Sequence, residues 1–272
     1  MKPLTTVVGI NCKDGIVLYA DSQETHYEND QPRFKRLIQN KLSDIGTHRY
    51  YMIGCAGSST DLELLVEHLN ENEKLCSSSL HDELEFHALL EKEIIPEFLE
   101  KHNVTLPTRT HGEPTKYPIE VDALFAAQLQ GDQKHMLYKI ETSPRQMIRR
   151  VPKYGSIGSG SELVNPLLDQ LNQHFEEFRY GWHGISTRLA AKITYLILGI
   201  SLKADFATGG TARCRILTDE EGVTPLDRTK IWEDPKASKI VETLSLACKE
   251  LPKVEERIRK IVSNLFEEHA EK

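Results

Sequence analysis

Residues 5–12 (TTVVGINC) and 15–22 (GIVLYADS) are two β-branched, apolar runs separated only by Lys13 and Asp14. Runs this close, with a glycine at the join, fold as two antiparallel strands linked by a tight hairpin. Residues 41–46 and 49–57 repeat the arrangement, so four early antiparallel strands are expected. The hydrophobic period then changes. Leu62, Leu64, Leu65, His68 and Leu69, followed by Phe86, Leu89, Leu90, Ile94 and Phe98, fit two long amphipathic helices. Residues 104–118, rich in Pro, Thr and Lys, read as a polar loop, and 120–129, 134–141 and 146–151 as strands. A further helix is expected over 186–204, carried by Leu189, Ala190, Ile193, Leu196, Ile197 and Ile200, and a strand over 212–218. Strands, helices, strands, helices, strand is the order of an α+β fold in which helices cover paired sheets. A parallel sheet needs strand and helix to alternate.

A chain of 272 residues buries one sizeable core without disulfides. Its five cysteines (Cys12, Cys55, Cys76, Cys214 and Cys248) are odd in number and widely spaced, which predicts free thiols in a reducing, cytoplasmic setting. The net charge of −7 argues against a nucleic-acid surface. No apolar stretch has the length of a signal peptide or a membrane span, so a soluble protein without membrane contact is expected. After Pro252, Val254, Ile258, Ile261, Val262, Leu265 and Phe266 form a narrow apolar stripe, and residues 219–272 are read as a C-terminal helical extension. The stripe is expected to dock on its own domain, with an intersubunit contact as the alternative.

Taken singly, the chemistry-bearing residues say little. Thr5 and Thr6 at a strand start are ordinary strand formers. Asp21 and Lys41 could be a buried ion pair. Gly158-Ser159-Gly160-Ser161 could be a turn opening a helix or an anion cradle, but no P-loop lysine follows it. His81 and His87 are not spaced as a same-face helical pair, so no metal site and no cofactor is expected.

The set is more informative than its members. TTVVGINCKDGIVLYADSQET from Thr5, Asn40-Lys41-Leu42, IGCAGSSTD at 53–61, SIGSGSEL at 156–163 and ADFATGG at 204–210 occur in this order. Together they resemble the proteasome β-subunit family over roughly residues 5–218. The resemblance implies a four-layer α/β/β/α sandwich of two antiparallel sheets, the N-terminal-nucleophile hydrolase fold. Carried over by position, Thr5 matches the nucleophile, Asp21 the buried aspartate and Lys41 the lysine, with Lys35 as the alternative. Gly57 matches the oxyanion glycine, and Ser159, Asp205 and Thr208 the outer support, Thr208 standing where the family usually has serine. Cys55, Ser59 and Glu63, with Glu24 and Ser43 on the opposite wall, match the first specificity pocket. An inward carboxylate from Glu24 or Glu63 would favour a basic side chain before the cut.

The implied chemistry uses the threonine's own α-amine as base, whose ordinary pKa of about 7.7–8.0 leaves a neutral fraction that a nearby lysine cation increases. The implied activity is a threonine endopeptidase on peptide or unfolded-protein substrates, inside a homo-oligomeric ring or stacked rings. An α-type subunit or an ATP-dependent unfoldase is an implied partner. In this family a glycine usually precedes the nucleophile, and autocatalysis removes the leader; here residues 1–4 are Met-Lys-Pro-Leu, read as a short leader. Until Leu4–Thr5 is cut, the Thr5 nitrogen is an amide and no base. The alternative is therefore an unprocessed, inactive structural subunit, and a more distant one is an amidohydrolase acting on a small amide.

Overall fold

The computed structural model describes residues 5–28, 31–37, 41–76, 82–102, 105–106, 115–116, 119–129, 134–143, 146–177, 182–204 and 212–226. The first hairpin is β1 (Val7–Asn11) and β2 (Gly15–Ala20), paired Val7↔Ala20 through Asn11↔Ile16. A second hairpin, β3 (Gln23–Glu28) with β4 (Gln31–Leu37), stands as its own two-stranded sheet and was not expected. Next come β5 (Leu42–Ile45) and β6 (Tyr51–Gly57), so the early segment holds six strands and not four.

Helix α1 (Ser59–Glu71) begins at Ser58, whose hydroxyl accepts the Asp61 N–H at 3.4 Å, an N-cap that satisfies a donor of the first turn. A short α2 (Glu73–Cys76) follows, and the second expected helix runs without interruption from Glu83 to His102: α3 (Glu83–Leu89) passes through a π-helical turn, Leu90–Ile94, into α4 (Ile95–His102). His68 of α1 lies 3.0 Å from the Ile94 carbonyl at that turn, where the helical hydrogen-bond pattern changes. The expected polar loop carries two short strands, β7 (Thr105–Leu106) and β8 (Thr115–Lys116). Then follow β9 (Val121–Leu129), β10 (Lys134–Glu141), β11 (Met147–Arg150) and β12 (Tyr154–Ile157). The chain continues through α5 (Ser161–Glu177), α6 (Thr187–Ala204), β13 (Arg213–Thr218) and β14 (Gly222–Leu226).

Two five-stranded sheets result, β12-β1-β2-β13-β14 and β11-β10-β9-β6-β5, with every adjacent pair antiparallel. Alternation along each strand sends side chains into two different cores. Val7, Ile16, Leu18 and Ala20 of the first sheet meet Leu42, Met52, Ala56, Leu124, Ala126 and Leu137 of the second. The opposite face of the first sheet packs Val8, Ile10, Val17 and Tyr19 against Val164, Leu168, Ala190 and Ile193 of α5 and α6. The outer face of the second sheet packs Ile53, Phe125 and Tyr138 against Leu62, Leu65, Phe86 and Phe98. The four-layer α/β/β/α sandwich is the observed architecture.

The first sheet does not stop at residue 218, because β14 pairs with β13 from Thr218↔Gly222 to Cys214↔Leu226. Its outward Val223 N–H donates to the Arg49 carbonyl at 2.8 Å, and Pro225 has no N–H. The apolar stripe from Val254 to Phe266 lies outside the described residues. Among the described residues no helix is long and apolar enough to cross a membrane, and no three His, Cys, Asp or Glu side chains converge as a metal site. His81 lies outside the described residues; His87 stacks on Tyr138 with ring centroids 5.6 Å apart. Cys12, Cys55 and Cys214 are buried free thiols.

Candidate active site

The β1/β2 ladder runs one pair beyond its strands. Asp21 N–H donates to the Thr6 carbonyl at 3.1 Å, which sets the aspartate across from the first threonines. The side chain then turns back. Its Oδ1 accepts the Thr5 hydroxyl at 2.6 Å and the Thr6 N–H at 2.9 Å. Lys41 reaches the same point from the other sheet. It extends the β5/β6 pairing, its carbonyl taking the Cys55 N–H at 2.9 Å, and its Nζ lies 2.9 Å from Asp21 Oδ1. Lys41 Nζ also donates to Thr5 Oγ1. The three side chains touch pairwise and are almost fully enclosed, Thr5 at 2%, Asp21 at 1% and Lys41 at 4% exposure.

A close approach of the two sheets brings them together. A Cβ at Gly54 would stand 2.6 Å from Val7 Cγ1 and 2.9 Å from Leu42 Cδ2, so glycine lets β6 lie against β1 directly beneath the site. Lys35, the alternative match, lies in β4 with its backbone opposite Thr25, so Lys41 is the lysine at Thr5. Charges this deeply buried persist only when paired and hydrogen-bonded, and here the ammonium, the carboxylate and the hydroxyl satisfy one another.

The turn between β12 and α5 closes the other side of Thr5. Gly160 N–H points to the Thr5 carbonyl at 3.5 Å. Ser161 N–H and Oγ both donate to the Gly158 carbonyl, at 3.2 and 2.6 Å, so the Gly-Ser-Gly-Ser segment is a turn that opens a helix. Ser159 is half-buried within it. Gly158 has φ +86°, and a Cβ there would lie 2.0 Å from the Thr5 carbonyl oxygen. That contact was not anticipated; the glycine-rich segment signalled a turn but not what the turn touches.

Gly57 ends β6 at φ +155°, two residues past Cys55, and a Cβ there would meet the Glu120 carbonyl at 2.7 Å. Asp205 and Thr208 lie outside the described residues. The residues matched to a specificity pocket are dispersed in character. Cys55 is buried in the helix-facing core with Ile53, Leu62 and Leu65, and burial pushes its thiol pKa well up, so it stays neutral. Ser43 and Ser59 are half-buried, Glu63 is exposed on α1, and the backbone of Glu24 pairs with Arg36. Beside them Asp61 has its pKa raised, first by burial, with the Glu120 charge adding to the rise and a backbone hydrogen bond opposing it.

A buried hydroxyl in contact with both an ammonium and a carboxylate is one that such neighbours can polarise. Comparisons with known proteins bear on the scaffold that carries it. The chain superposes on Anbu, the ancestral beta-subunit from Yersinia bercovieri, with a TM-score of 0.62 over 90% of this chain and 96% of that one. At 14% sequence identity this likeness is one of fold. A comparison with curated protein sequences gave no match. A family model described as proteasome subunit matches residues 1–212, and by that match the chain belongs to the proteasome subunit family.

Proposed function

We propose that this chain is a threonine-type peptidase whose nucleophile is Thr5, active once the Leu4–Thr5 bond is cut. The observation that carries the reading is the Thr5 hydroxyl in contact with both Asp21 and Lys41. A buried ion pair alone has no need of a hydroxyl bridging it. After cleavage the new α-amine takes the Oγ proton, and the neighbouring Lys41 cation favours the neutral amine that can do so. Oγ attacks the substrate carbonyl carbon, and the oxyanion meets the Gly57 N–H. Losing one such donor costs roughly 100- to 1,000-fold in rate. The amine passes its proton to the departing amide nitrogen, the peptide bond breaks, and water hydrolyses the acyl-threonine ester. Ser159, Asp205 and Thr208 orient the amine. Enclosure in a ring-shaped cytoplasmic assembly, with an α-type subunit or an unfoldase controlling entry, keeps so unselective a site from folded proteins.

Before cleavage the Thr5 nitrogen is an amide, and among the described residues Asp21 and Lys41 hydrogen-bond to Oγ. Both are therefore required for self-processing. Intact-mass analysis of the assembled wild type, Thr5→Ala and Lys41→Ala tests this. The expected result is a mature N-terminus at Thr5 in the wild type alone. An assembled wild type that keeps Leu4 and hydrolyses no peptide would establish a structural subunit.

A further inference from the structure

We infer that Gly158 is a positioning residue for Thr5, a hard stop against which the threonine backbone is held so that its hydroxyl lies between Lys41 and Asp21. The three atoms nearest to a Cβ placed on Gly158 all belong to Thr5: the carbonyl oxygen at 2.0 Å, the carbonyl carbon at 2.7 Å and Cγ2 at 3.0 Å. Distances under 3 Å to backbone atoms leave no room for any side chain, so alanine there displaces Thr5 itself. The conformation requires glycine a second time, since φ +86° lies in the left-handed region. The stop is itself braced, because the Gly158 carbonyl takes both hydrogen bonds of Ser161 at the start of α5.

Thr5 thus sits between a fixed turn on one side and a fixed ion pair on the other. Lys41, which pairs with Asp21, is anchored away from the turn and away from β1, its carbonyl taking the Cys55 N–H in the second sheet. The Thr6 N–H shares a peptide bond with the Thr5 carbonyl and shifts with it, so moving Thr5 separates the hydroxyl from an ion pair whose lysine stays in place. Positioning errors of about 1 Å cost on the order of 100-fold in rate.

Gly222 supplies the control. It too has a left-handed φ, +64°, and a Cβ there would lie 2.8 Å from a backbone oxygen, that of Arg49. It stands in the β13–β14 turn, at the end of the first sheet remote from Asp21. Gly158→Ala and Gly222→Ala therefore impose the same kind of insult, one against Thr5 and one away from it.

The test has a structural arm and a chemical arm, and only the second rests on the proposed peptidase activity. In crystal structures of the full-length variants, the 2.6 Å contact from Thr5 Oγ to Asp21 Oδ1 should open beyond hydrogen-bond reach in Gly158→Ala and persist in Gly222→Ala. Retention of the contact in Gly158→Ala overturns the inference. In the chemical arm a peptide β-lactone acylates Thr5: Oγ attacks the lactone carbonyl, the ring C–O bond breaks, and the ring oxygen leaves as an alcohol bearing the hydroxyl proton. The limiting acylation rate should fall about 100-fold or more in Gly158→Ala, with the half-saturating probe concentration unchanged, because the turn places the nucleophile and does not bind the peptide. Gly222→Ala should react at the wild-type rate; equal losses in the two variants would reduce Gly158 to a folding residue. Where Gly158→Ala fails to fold, Ser161→Ala loosens the same turn without adding a clash, and it should show a smaller fall in the limiting rate; an unchanged rate overturns the inference. A wild type that resists the probe, with the contact opening in Gly158→Ala alone, sustains the positioning role and removes the nucleophile reading.

Discussion

The two ends of the sandwich treat buried polar groups in opposite ways. At the Thr5 end a single carboxylate oxygen receives three donors, the Thr5 hydroxyl, the Thr6 N–H and the Lys41 ammonium. At the other end Gln128 and His135 face each other across β9 and β10, and both reach toward Asp219 beyond β13. Gln128 Nε2 donates to Asp219 Oδ1 at 3.0 Å, and His135 Nε2 lies 3.4 Å from the same oxygen. Gln128 Oε1 and His135 Nε2 are buried with no hydrogen bond among the described residues. A buried polar atom left unpaired costs about 1–3 kcal/mol. The strands and sheets are shared between the two ends, so the difference lies in the side chains set at the strand termini. One end gathers its donors on a single carboxylate oxygen; the other leaves two buried polar atoms without a hydrogen bond among the described residues.

Truncation should expose that asymmetry. Lys41→Ala leaves the Asp21 carboxylate buried without its cation, and urea unfolding should show a loss of about 3–5 kcal/mol. A loss below about 1 kcal/mol would mean that the pair behaves as a solvent-exposed one and that the Thr5 end is open to water. At the far end Gln128→Met gives up one hydrogen bond to a partly exposed aspartate and removes an orphan oxygen. Stability measured the same way should change by less than about 1 kcal/mol; a larger loss would reveal a partner for Gln128 and erase the contrast.

The smallest effect is a dependence on pH. Burial lowers the pKa of His135 from its ordinary 6.5, and the opposing charges of Asp219 and Asp14 only partly offset it. The unfolded chain therefore binds the proton more readily than the folded one. Stability should decline as the pH falls below about 6.5 and level off beneath the lowered folded value. His135→Gln should flatten that segment of the unfolding profile relative to wild type. An unchanged profile would assign the acid sensitivity to other groups.

The strands that pack on two cores were legible because their composition is distinctive: VVGIN and GIVLYA are buried at every position. The hairpin Gln23–Glu28 with Gln31–Leu37 was not, because QETHYE and QPRFKRL present no apolar face to mark a strand. β12 was hidden by Gly155 and by its nearness to the glycine-rich turn, and β14 by Pro225, which demotes a run to an edge strand. The helix over 83–102 was legible, but the π-helical turn inside it was not, since such a turn keeps helical composition and only shifts which residues face inward.

At the site, Thr5, Asp21 and Lys41 came from resemblance and the structure brings them into contact; nothing in their spacing alone requires it. Gly158 touches Thr5 through a contact between distant parts of the chain, which no local pattern encodes. Gly54 is similar, its meaning set by Val7 on the facing sheet.

Strand β14 forms one rim of the first sheet, where an unpaired backbone ordinarily invites a neighbour to add a strand. Amide groups along such a rim alternate between the sheet and the outside. Of the two that point outward here, Val223 is already spent on the Arg49 carbonyl and Pro225 has none to offer. Among the described residues this rim therefore offers an added strand no free backbone donor. An added strand would have to rest on outward carbonyls alone, a poorer ladder than one in which both donors and acceptors are on offer.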